Sequence, residues 1–345
     1  MTKVRQAVIM VGGMGTRLLP LTKNRPKPIL PVLDKPCLRY LIESLVSSGV
    51  EEIILACGYK STQLVDAIGD GSDMGITISY SYEDEPLGTA GAIKKVESRL
   101  DDVFVAANGD VFADLSMEEQ IDMHFSCNAD VTLALTPVDD TIEFGTARLD
   151  DDHRIIEFKE KVKREDAPSN LANAGIYIIN KQVLSYVPDN TFYDFSRDLL
   201  PILMTTGQKR IQGFMLKGIW RDVGRPKDLL GVNLQMASKR YDQMSWGGSQ
   251  IESTNIMKPF YIGKGASISG SEASAAVIME NTVVKGSKIL NTMIMKDCRV
   301  DASRIENSII GVGCKVGPGA EIISSIVGDG AVIEANRKIT DEKVY

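Results

Sequence analysis

The sequence has 345 residues, of which 43% are hydrophobic and 25% are charged, and its formal net charge is −7. This length allows two domains with sizeable cores, and the acidic balance argues against a nucleic-acid-binding protein, which usually has a basic footprint. No apolar run approaches the ~20 residues of a membrane span, and the first apolar run is too short for a signal peptide. We therefore expect a cytoplasmic protein that binds neither nucleic acid nor membrane.

The first 240 residues alternate strand and helix signals. Short apolar runs bounded by turn residues occur as QAVIMV, EEIILAC, DVFVAAN and DVTLAL, which is typical of buried strands of a parallel sheet. Between the first two runs, apolar residues recur at helical spacing from 38 to 46, and Gly49 is a suitable helix end. Strand, helix and strand at this spacing predict a βαβ unit, with ligands at the carboxyl edge of the sheet.

A glycine-rich loop, residues 12–17, follows the first predicted strand. Glycines there allow backbone N–H groups to approach a phosphate closely. A dinucleotide-binding fingerprint would need a third glycine where Leu18 stands, and the P-loop pattern is absent as well. Arg17 and Lys27, on a proline-rich segment, are suited to bind a triphosphate, with Arg17 neutralising the charge that builds on a leaving pyrophosphate.

Two aspartates are candidates for a metal site. Asp110 follows an apolar strand, so its carboxylate should emerge at the carboxyl edge of the sheet, and Asp222 lies in a glycine-flanked loop far along the chain. Two carboxylates from separate segments can hold Mg²⁺ against triphosphate oxygens, with water completing the octahedron.

From about residue 256 the sequence changes to an internal repeat of short strands. The triplets that begin at Thr292, Ser308 and Ser325 are 16 and 17 residues apart, and glycines and small residues fill the gaps. This pattern predicts a β-solenoid, whose open ends and flat apolar faces favour a homo-oligomer. Apolar residues recur every five or six positions, at Val283, Ile289, Ile294, Val300, Ile305, Ile310, Val316, Ile322, Val327 and Val332.

Several motifs together resemble one enzyme family. The pattern G-G-x-G-T-R-L-x-P-L-T followed by R-P-K-P resembles the signature of the sugar-1-phosphate nucleotidylyltransferases. Further segments that look like the family's are EPLGTAG (85–91), NGD (108–110), EK (160–161), NAG (173–175) and WRDVG (220–224). The resemblance covers about residues 6–235, and the solenoid tail is common in the same family. Val162 departs from the pattern, because many members have proline there.

The resemblance implies a fold and a set of site residues. The expected fold is a Rossmann-like, mixed-sheet α/β catalytic domain over 1–240, a linker over 241–256 and a left-handed parallel β-helix over 257–345. The implied catalytic residues are Arg17, Lys27, Asp110, Lys161 and Asp222. The implied nucleotide-binding residues are Gly12, Gly13, Gly15, Thr16, Arg17, Lys27, Gly88, Thr89 and Asp110. The sugar phosphate would contact Gly145, Glu160, Lys161 and Asn173, and Asp110 and Asp222 would bind Mg²⁺.

The expected reaction joins a nucleoside triphosphate to a sugar 1-phosphate and releases pyrophosphate. The motifs are most similar to those of mannose-1-phosphate guanylyltransferases, which favours GTP and mannose 1-phosphate. Glucose 1-phosphate with dTTP or UTP remains an alternative, as does a non-catalytic regulatory subunit. An acyltransferase is disfavoured because residues 257–345 contain no histidine, and an oxidoreductase is disfavoured by Leu18.

Overall fold

The computed structural model of the protein describes residues 3–13, 15–58, 61–207, 209–239 and 248–345. The chain divides into two compact units, Met1–Gly13 with Leu38–Trp220 and Met14–Cys37 with Arg221–Tyr345. The segment after the first strand therefore belongs to the same unit as the C-terminal part of the chain. The predicted linker lies partly outside the described residues, and the predicted domain boundaries stay predictions.

The helices of the described residues are short. The α-helices are α1 (Cys37–Ser47), α2 (Ser61–Ile68), α3 (Gly88–Lys95), α4 (Glu118–Ser126), α5 (Leu200–Thr205) and α6 (Pro226–Lys239). The 3₁₀ turns are Thr16–Leu18, Lys27–Ile29, Ser72–Met74, Glu97–Arg99, Arg164–Asp166 and Lys181–Tyr186, and Phe195–Leu199 forms a π-helix. Among these described helices, none is long and apolar enough to cross a membrane.

Thirteen strands precede residue 223 in the described part of the chain. They are β1 (Gln6–Val11), β2 (Pro31–Val32), β3 (Lys35–Pro36), β4 (Glu52–Cys57), β5 (Thr77–Tyr82), β6 (Val103–Asn108), β7 (Val111–Leu115), β8 (Val131–Pro137), β9 (Gly145–Leu149), β10 (Ile155–Glu160), β11 (Leu171–Asn180), β12 (Ile211–Met215) and β13 (Gly218–Asp222).

The first unit is built around a nine-stranded mixed sheet. Its main order is β10-β9-β11-β6-β1-β4-β5, and β8 pairs with both β11 and β12. β1 lies parallel to β4 and β6, and all six of its residues are buried because both sheet faces are covered. α1 forms where the helical spacing predicts it, and Leu38, Leu41 and Leu45 are fully buried. The prediction of a mixed α/β domain is confirmed.

The direction of β8 differs from the sequence prediction. The run DVTLAL was expected to be a strand of a parallel sheet, but β8 lies antiparallel to β11 and parallel to β12. A strand covered on both faces is a continuous apolar run in either direction, so its composition does not reveal the direction of its neighbour.

The C-terminal strands form the coils of a parallel β-helix. They are β14 (Gln250–Glu252), β15 (Asn255–Ile262), β16 (Ser267–Ser269), β17 (Glu272–Ile278), β18 (Val283–Lys285), β19 (Lys288–Ile294), β20 (Arg299–Asp301), β21 (Arg304–Glu306), β22 (Ile309–Ile310), β23 (Lys315–Val316), β24 (Glu321–Ile323), β25 (Ile326–Val327), β26 (Val332–Ile333), β27 (Lys338–Thr340) and β28 (Lys343–Val344).

The register of these coils confirms the predicted repeat. Met293 pairs with Ile309, and Ile309 pairs with Ile326, so the triplets stack in register. The corners of the coils, which lie between strands or within the longer strands β17 and β19, are turned by residues with positive φ. In one row of corners φ lies between 46° and 54°, at Ala275, Asn291, Asn307, Ser324 and Asp341.

Eight of the ten recurring apolar residues of the repeat are buried, and the other two, Val283 and Val332, are not. Val332 is 57% exposed and its neighbour Ile333 is buried; Val283 is likewise less buried than Val284. Successive residues of a strand point to opposite faces, so two adjacent β-branched residues leave the choice of face open.

The last helix ties the second unit together. α6 packs on β15 and β17 and also contacts β2. The buried Asn233 of α6 accepts a hydrogen bond from the backbone N–H of Leu33 (2.8 Å) and donates to the carbonyl of Pro31 (3.2 Å). The segment that carries the R-P-K-P motif is thereby held on α6.

Candidate active site

One cavity of the first unit collects most of the predicted nucleotide-binding residues of that unit. It has a volume of about 280 Å³, close to the lower end of the ~300–1,000 Å³ range of small-molecule sites. The predicted residues Gly12, Gly13, Gly88, Thr89 and Asp110 all line it. The space beside Gly12 and Gly13 is open, with no atom within 4 Å of where a Cβ would stand. A ligand can therefore approach the backbone of this loop closely.

The polar groups of this cavity are acidic or neutral. Among its described lining residues are Glu83, Asn108, Asp110 and Asp194, and none of the lining residues that the structure describes is lysine or arginine. The side-chain oxygen of Asn108 is buried and has no hydrogen-bond partner among the described residues. A buried acceptor without a partner is costly unless a ligand or water satisfies it. The cavity wall is thus suited to a cation or to the N–H groups of a nucleotide base.

The loop that contains Asp194 fixes one side of the cavity. Thr89 Oγ1 donates a hydrogen bond to Asp194 Oδ2 (3.2 Å) and accepts one from the backbone N–H of Phe195 (2.7 Å). Asp194 in turn accepts from the backbone N–H groups of Ser196 and Arg197, capping the π-helix. The segment 85–91 is therefore held in place by residues more than 100 positions later.

We expect Gly88→Ala to destabilise the protein by about 1–3 kcal/mol. Gly88 has a φ of +70°, and a Cβ there would lie 2.7 Å from the carbonyl oxygen of Tyr193. Urea unfolding measures the loss. Gly75→Ala is the matched control, because Gly75 has a φ of +72° but no atom within 4 Å of a Cβ. Equal losses in the two variants would show that backbone strain, not the close approach to Tyr193, makes glycine necessary at 88.

The predicted sugar-phosphate residues form a second cluster in the first unit. Gly145 and Glu160 lie opposite one another on the antiparallel strands β9 and β10, and a Cβ at Gly145 would overlap Glu160 Oε2. Asn173 donates hydrogen bonds to the hydroxyl groups of Tyr177 (2.9 Å) and Ser196 (3.1 Å). Lys161 is half exposed, and its Nζ lies 3.9 Å from Glu160 Oε1.

Electrostatics connect this cluster with the cavity. Burial raises the pKa of Glu160 above its ordinary value of 4.5; Lys161 opposes the rise, Asp194 adds to it and Arg197 opposes it. Asp194 also lines the cavity, so the charges of the two groups of residues act on one another.

The remaining predicted residues lie in the second unit. Lys27 is 8% exposed, and its Nζ is 3.4 Å from Asp222 Oδ1. A Cβ at Gly224 would lie 3.1 Å from both an Nη of Arg17 and Asp222 Oδ2. Arg17, Lys27 and Asp222 therefore converge within the second unit.

The loop that carries Arg17 is closed by short contacts within the second unit. Gly15 has a φ of +59°, and its carbonyl accepts a hydrogen bond from Thr22 Oγ1 (2.8 Å). Thr16 begins the 3₁₀ turn that carries Arg17. A Cβ at Gly15 would lie 3.1 Å from the Cβ of Lys27, so this loop and Lys27 are adjacent.

Comparison with known proteins decides the family. A family model described as nucleotidyl transferase matches residues 6–239, more than half of the chain. The chain belongs to the nucleotidyl transferase family. A second model, described as GlmU-like, C-terminal hexapeptide, matches residues 260–344, in agreement with the parallel β-helix. The prediction of a nucleotidyltransferase with a hexapeptide-repeat tail is confirmed.

The nucleotidyltransferase has relatives over most of its length. It is 35% identical over 292 residues to a mannose-1-phosphate guanylyltransferase of Mycobacterium tuberculosis, covering 81% of each chain. It is 32% identical over 277 residues to a putative mannose-1-phosphate guanyltransferase of Sulfolobus acidocaldarius, covering 79% of this chain and 75% of the relative. The solved structure of HddC from Yersinia pseudotuberculosis complexed with GMP-PN is similar with a TM-score of 0.57 and 28% identity, covering 68% of this chain and all of that one.

Eight of the described residues that line the nucleotidyltransferase cavity were not among the predicted site residues. They include Glu83, Phe192 and Asp194. Glu83 accepts a hydrogen bond from the backbone N–H of Leu87 (3.0 Å), which shapes the segment before α3. Phe192 and Asp194 belong to the run TFYDF (191–195), which combines aromatic residues with an acid. Such a run is only a weak sequence signal of a binding site, because similar runs are common in surface loops.

Proposed function

We propose that this nucleotidyltransferase makes a nucleotide sugar from a nucleoside triphosphate and a sugar 1-phosphate, using GTP and mannose 1-phosphate. The observation that carries the proposal is the convergence of Gly12, Gly13, Thr89 and Asp110 on one cavity. The names of the relatives support guanylyl transfer to mannose 1-phosphate as the specific reaction.

The proposed reaction is an in-line displacement. An oxygen of the sugar 1-phosphate attacks the α-phosphorus of the triphosphate, the bond to the β-phosphate breaks, and pyrophosphate leaves with the electron pair. The attacking phosphate is already ionised, so neither an enzyme nucleophile nor a general base is needed. Catalysis consists of positioning and of neutralising charge.

The residues take roles that match their chemistry. The backbone of Gly12 and Gly13 approaches the phosphates, while Arg17 and Lys27 neutralise the pyrophosphate as its charge builds. Lys161 offsets the charge of the incoming sugar phosphate, which must approach another anion. In the sugar cluster, Glu160 and Asn173 offer acceptors and donors to sugar hydroxyl groups.

Magnesium fits the carboxylates that the proposal assigns to it. Among the described residues, no three His, Cys, Asp or Glu side chains are grouped to hold a metal ion. Mg²⁺ is commonly bound by one or two carboxylates together with water and substrate phosphates, and Asp110 lines the cavity beside the unpartnered oxygen of Asn108. Asp110 and Asp222 are the proposed ligands, and the bound ion would neutralise phosphate charge.

A substrate grid tests the proposal. Pyrophosphate release with Mg²⁺ is measured for GTP, dTTP, UTP, ATP and CTP, each with mannose, glucose and N-acetylglucosamine 1-phosphates. We expect GTP with mannose 1-phosphate to dominate. If dTTP or UTP with glucose 1-phosphate dominated instead, the proposed substrates would be wrong, but the proposed reaction type would stand. No turnover by folded protein for any pair would contradict the reaction and favour a regulatory subunit.

Glu160→Gln should raise the stability of the protein at neutral pH and lower its activity. Because burial raises the pKa of Glu160, its contribution to stability is present when the group is protonated and is lost as the pH rises through the folded-state pKa. The glutamine stays neutral, so the variant should be more stable than wild type at about pH 7, and this advantage should vanish near pH 4. Its kcat/KM for the sugar phosphate should fall about 10- to 100-fold, because a charged acceptor is lost.

The half-buried Glu157 provides the matched control on the same strand. Arg148 holds the pKa of Glu157 below its usual range, so Glu157→Gln should bring no gain in stability at neutral pH. Urea unfolding at the two pH values measures both variants. A Glu160→Gln protein that is less stable than wild type at pH 7 would contradict the assigned cost of burying this carboxylate.

A further inference from the structure

The last coils of the β-helix hold the segment that carries Arg17 and Lys27. Arg25, two residues before Lys27, forms an ion pair with Asp329, and the two side chains are only 19% and 16% exposed. The other oxygen of Asp329, Oδ1, accepts a hydrogen bond from the backbone N–H of Val312 (2.9 Å). Asp329 is therefore fixed to the preceding coil on one side and to the segment that carries Arg17 and Lys27 on the other.

Two further contacts join the same segment to the end of the chain. The carbonyl of Arg17 accepts a hydrogen bond from Lys343 Nζ (3.4 Å), and the ammonium of Lys23 lies 5.9 Å from the centre of the Tyr345 ring. The backbone is close as well, since a Cβ at Gly328 would lie 3.1 Å from the Cβ of Pro20. The segment is thus supported at several positions between residues 17 and 25.

The position of the segment depends on both partners of this nearly buried ion pair. Removing one partner leaves the other charge in a poorly solvated place, so the segment would have to shift to rehydrate it. Arg17 and Lys27 flank Arg25 in sequence and converge on Asp222, so such a shift would move them relative to bound phosphate. Displacements of about 1 Å at a charged site are enough to lower affinity and rate strongly.

We propose that Asp329 of the β-helix is a positioning residue for triphosphate binding, acting through Arg25 on the segment that holds Arg17 and Lys27. This inference rests on the proposed role of those two cations. It gives the β-helix a part in the reaction, because without its last coils the cations would lose their support.

Arg25 itself also borders a cavity of about 660 Å³ in the second unit, which is lined by none of the predicted site residues.

Calorimetric titration of the full chain tests the proposal without needing turnover. The titrant is whichever of the five triphosphates of the grid wild type binds most tightly. We expect Asp329→Asn and Arg25→Gln each to weaken its binding about tenfold, and the double variant to be no weaker than the worse single one. The affinity for the sugar 1-phosphate, measured by the same titration, should not change, and Asp329→Glu, which keeps the charge, should retain most of the affinity for the triphosphate.

Controls separate positioning from general loss of stability. Glu321 pairs with Lys338 (2.8 Å) in a neighbouring coil, and Glu321→Gln should bind the triphosphate as wild type does. Asp329→Asn with wild-type affinity, additive losses in the double variant, or an equal loss of sugar-phosphate binding would each overturn the proposal. Tight triphosphate binding by wild type with a blank grid would contradict the proposed reaction alone, because these titrations do not depend on turnover.

Discussion

Asp110→Asn should lower kcat by at least ~10²–10³-fold and leave the fold intact. Asp110 lies two residues beyond the end of β6 and lines the cavity that also contains the glycine loop and Thr89. Asparagine has nearly the same shape but carries no charge, so the variant removes a proposed metal ligand without opening a hole. The effect should fall on kcat, because the charge that the proposed ion would neutralise is greatest as pyrophosphate leaves.

The measurement for Asp110 is pyrophosphate release from the best substrate pair over a range of Mg²⁺ concentrations. We also expect the Mg²⁺ concentration for half-maximal rate to rise. Asp122→Asn is the control, because Asp122 is an exposed carboxylate on α4 of the same unit and should leave turnover unchanged. An Asp110→Asn protein that keeps most of its turnover would exclude Asp110 from the metal site.

Lys27→Met should lower kcat by about 10²-fold, with a smaller effect on the KM for the triphosphate. Lys27 is buried, and its ammonium group lies beside the carboxylate of Asp222. Methionine fills a similar volume without the charge. The fall in kcat should therefore reflect the missing neutralisation of charge on the departing pyrophosphate. The removal of a cation beside Asp222 also alters the charge balance around a proposed metal ligand.

Steady-state kinetics with the same substrate pair measures this loss. Lys227→Met provides the comparison, since Lys227 is an exposed lysine on α6 in the same unit. Thermal unfolding of both variants shows whether the buried position costs stability as well. If Lys27→Met changed only the KM, Lys27 would contribute to binding the ground state and not to the departure of pyrophosphate.

Local sequence patterns were sufficient to predict the structure wherever one physical constraint dominates a short segment. The runs QAVIMV and EEIILAC became β1 and the neighbouring β4, because an apolar run bounded by turns can only be buried. The 16- and 17-residue spacing predicted which triplets of the β-helix stack. The orientation of β8 was predicted wrongly, because it depends on which surface a neighbouring strand presents. The exposure of Val332 is likewise not encoded in its residue type, which does not show the face of the strand that it occupies.

The sequence by itself determined the enzyme family, because the glycine loop with Arg17 and Lys27 and the segments that follow match one long and specific set of motifs. Only the tertiary structure decided which residues support them. Thr89 meets Asp194 across 105 positions, and Arg25 meets Asp329 across 304. No local pattern encodes such pairs, because an isolated arginine or aspartate has the appearance of a solvated surface charge until folding removes the water around it.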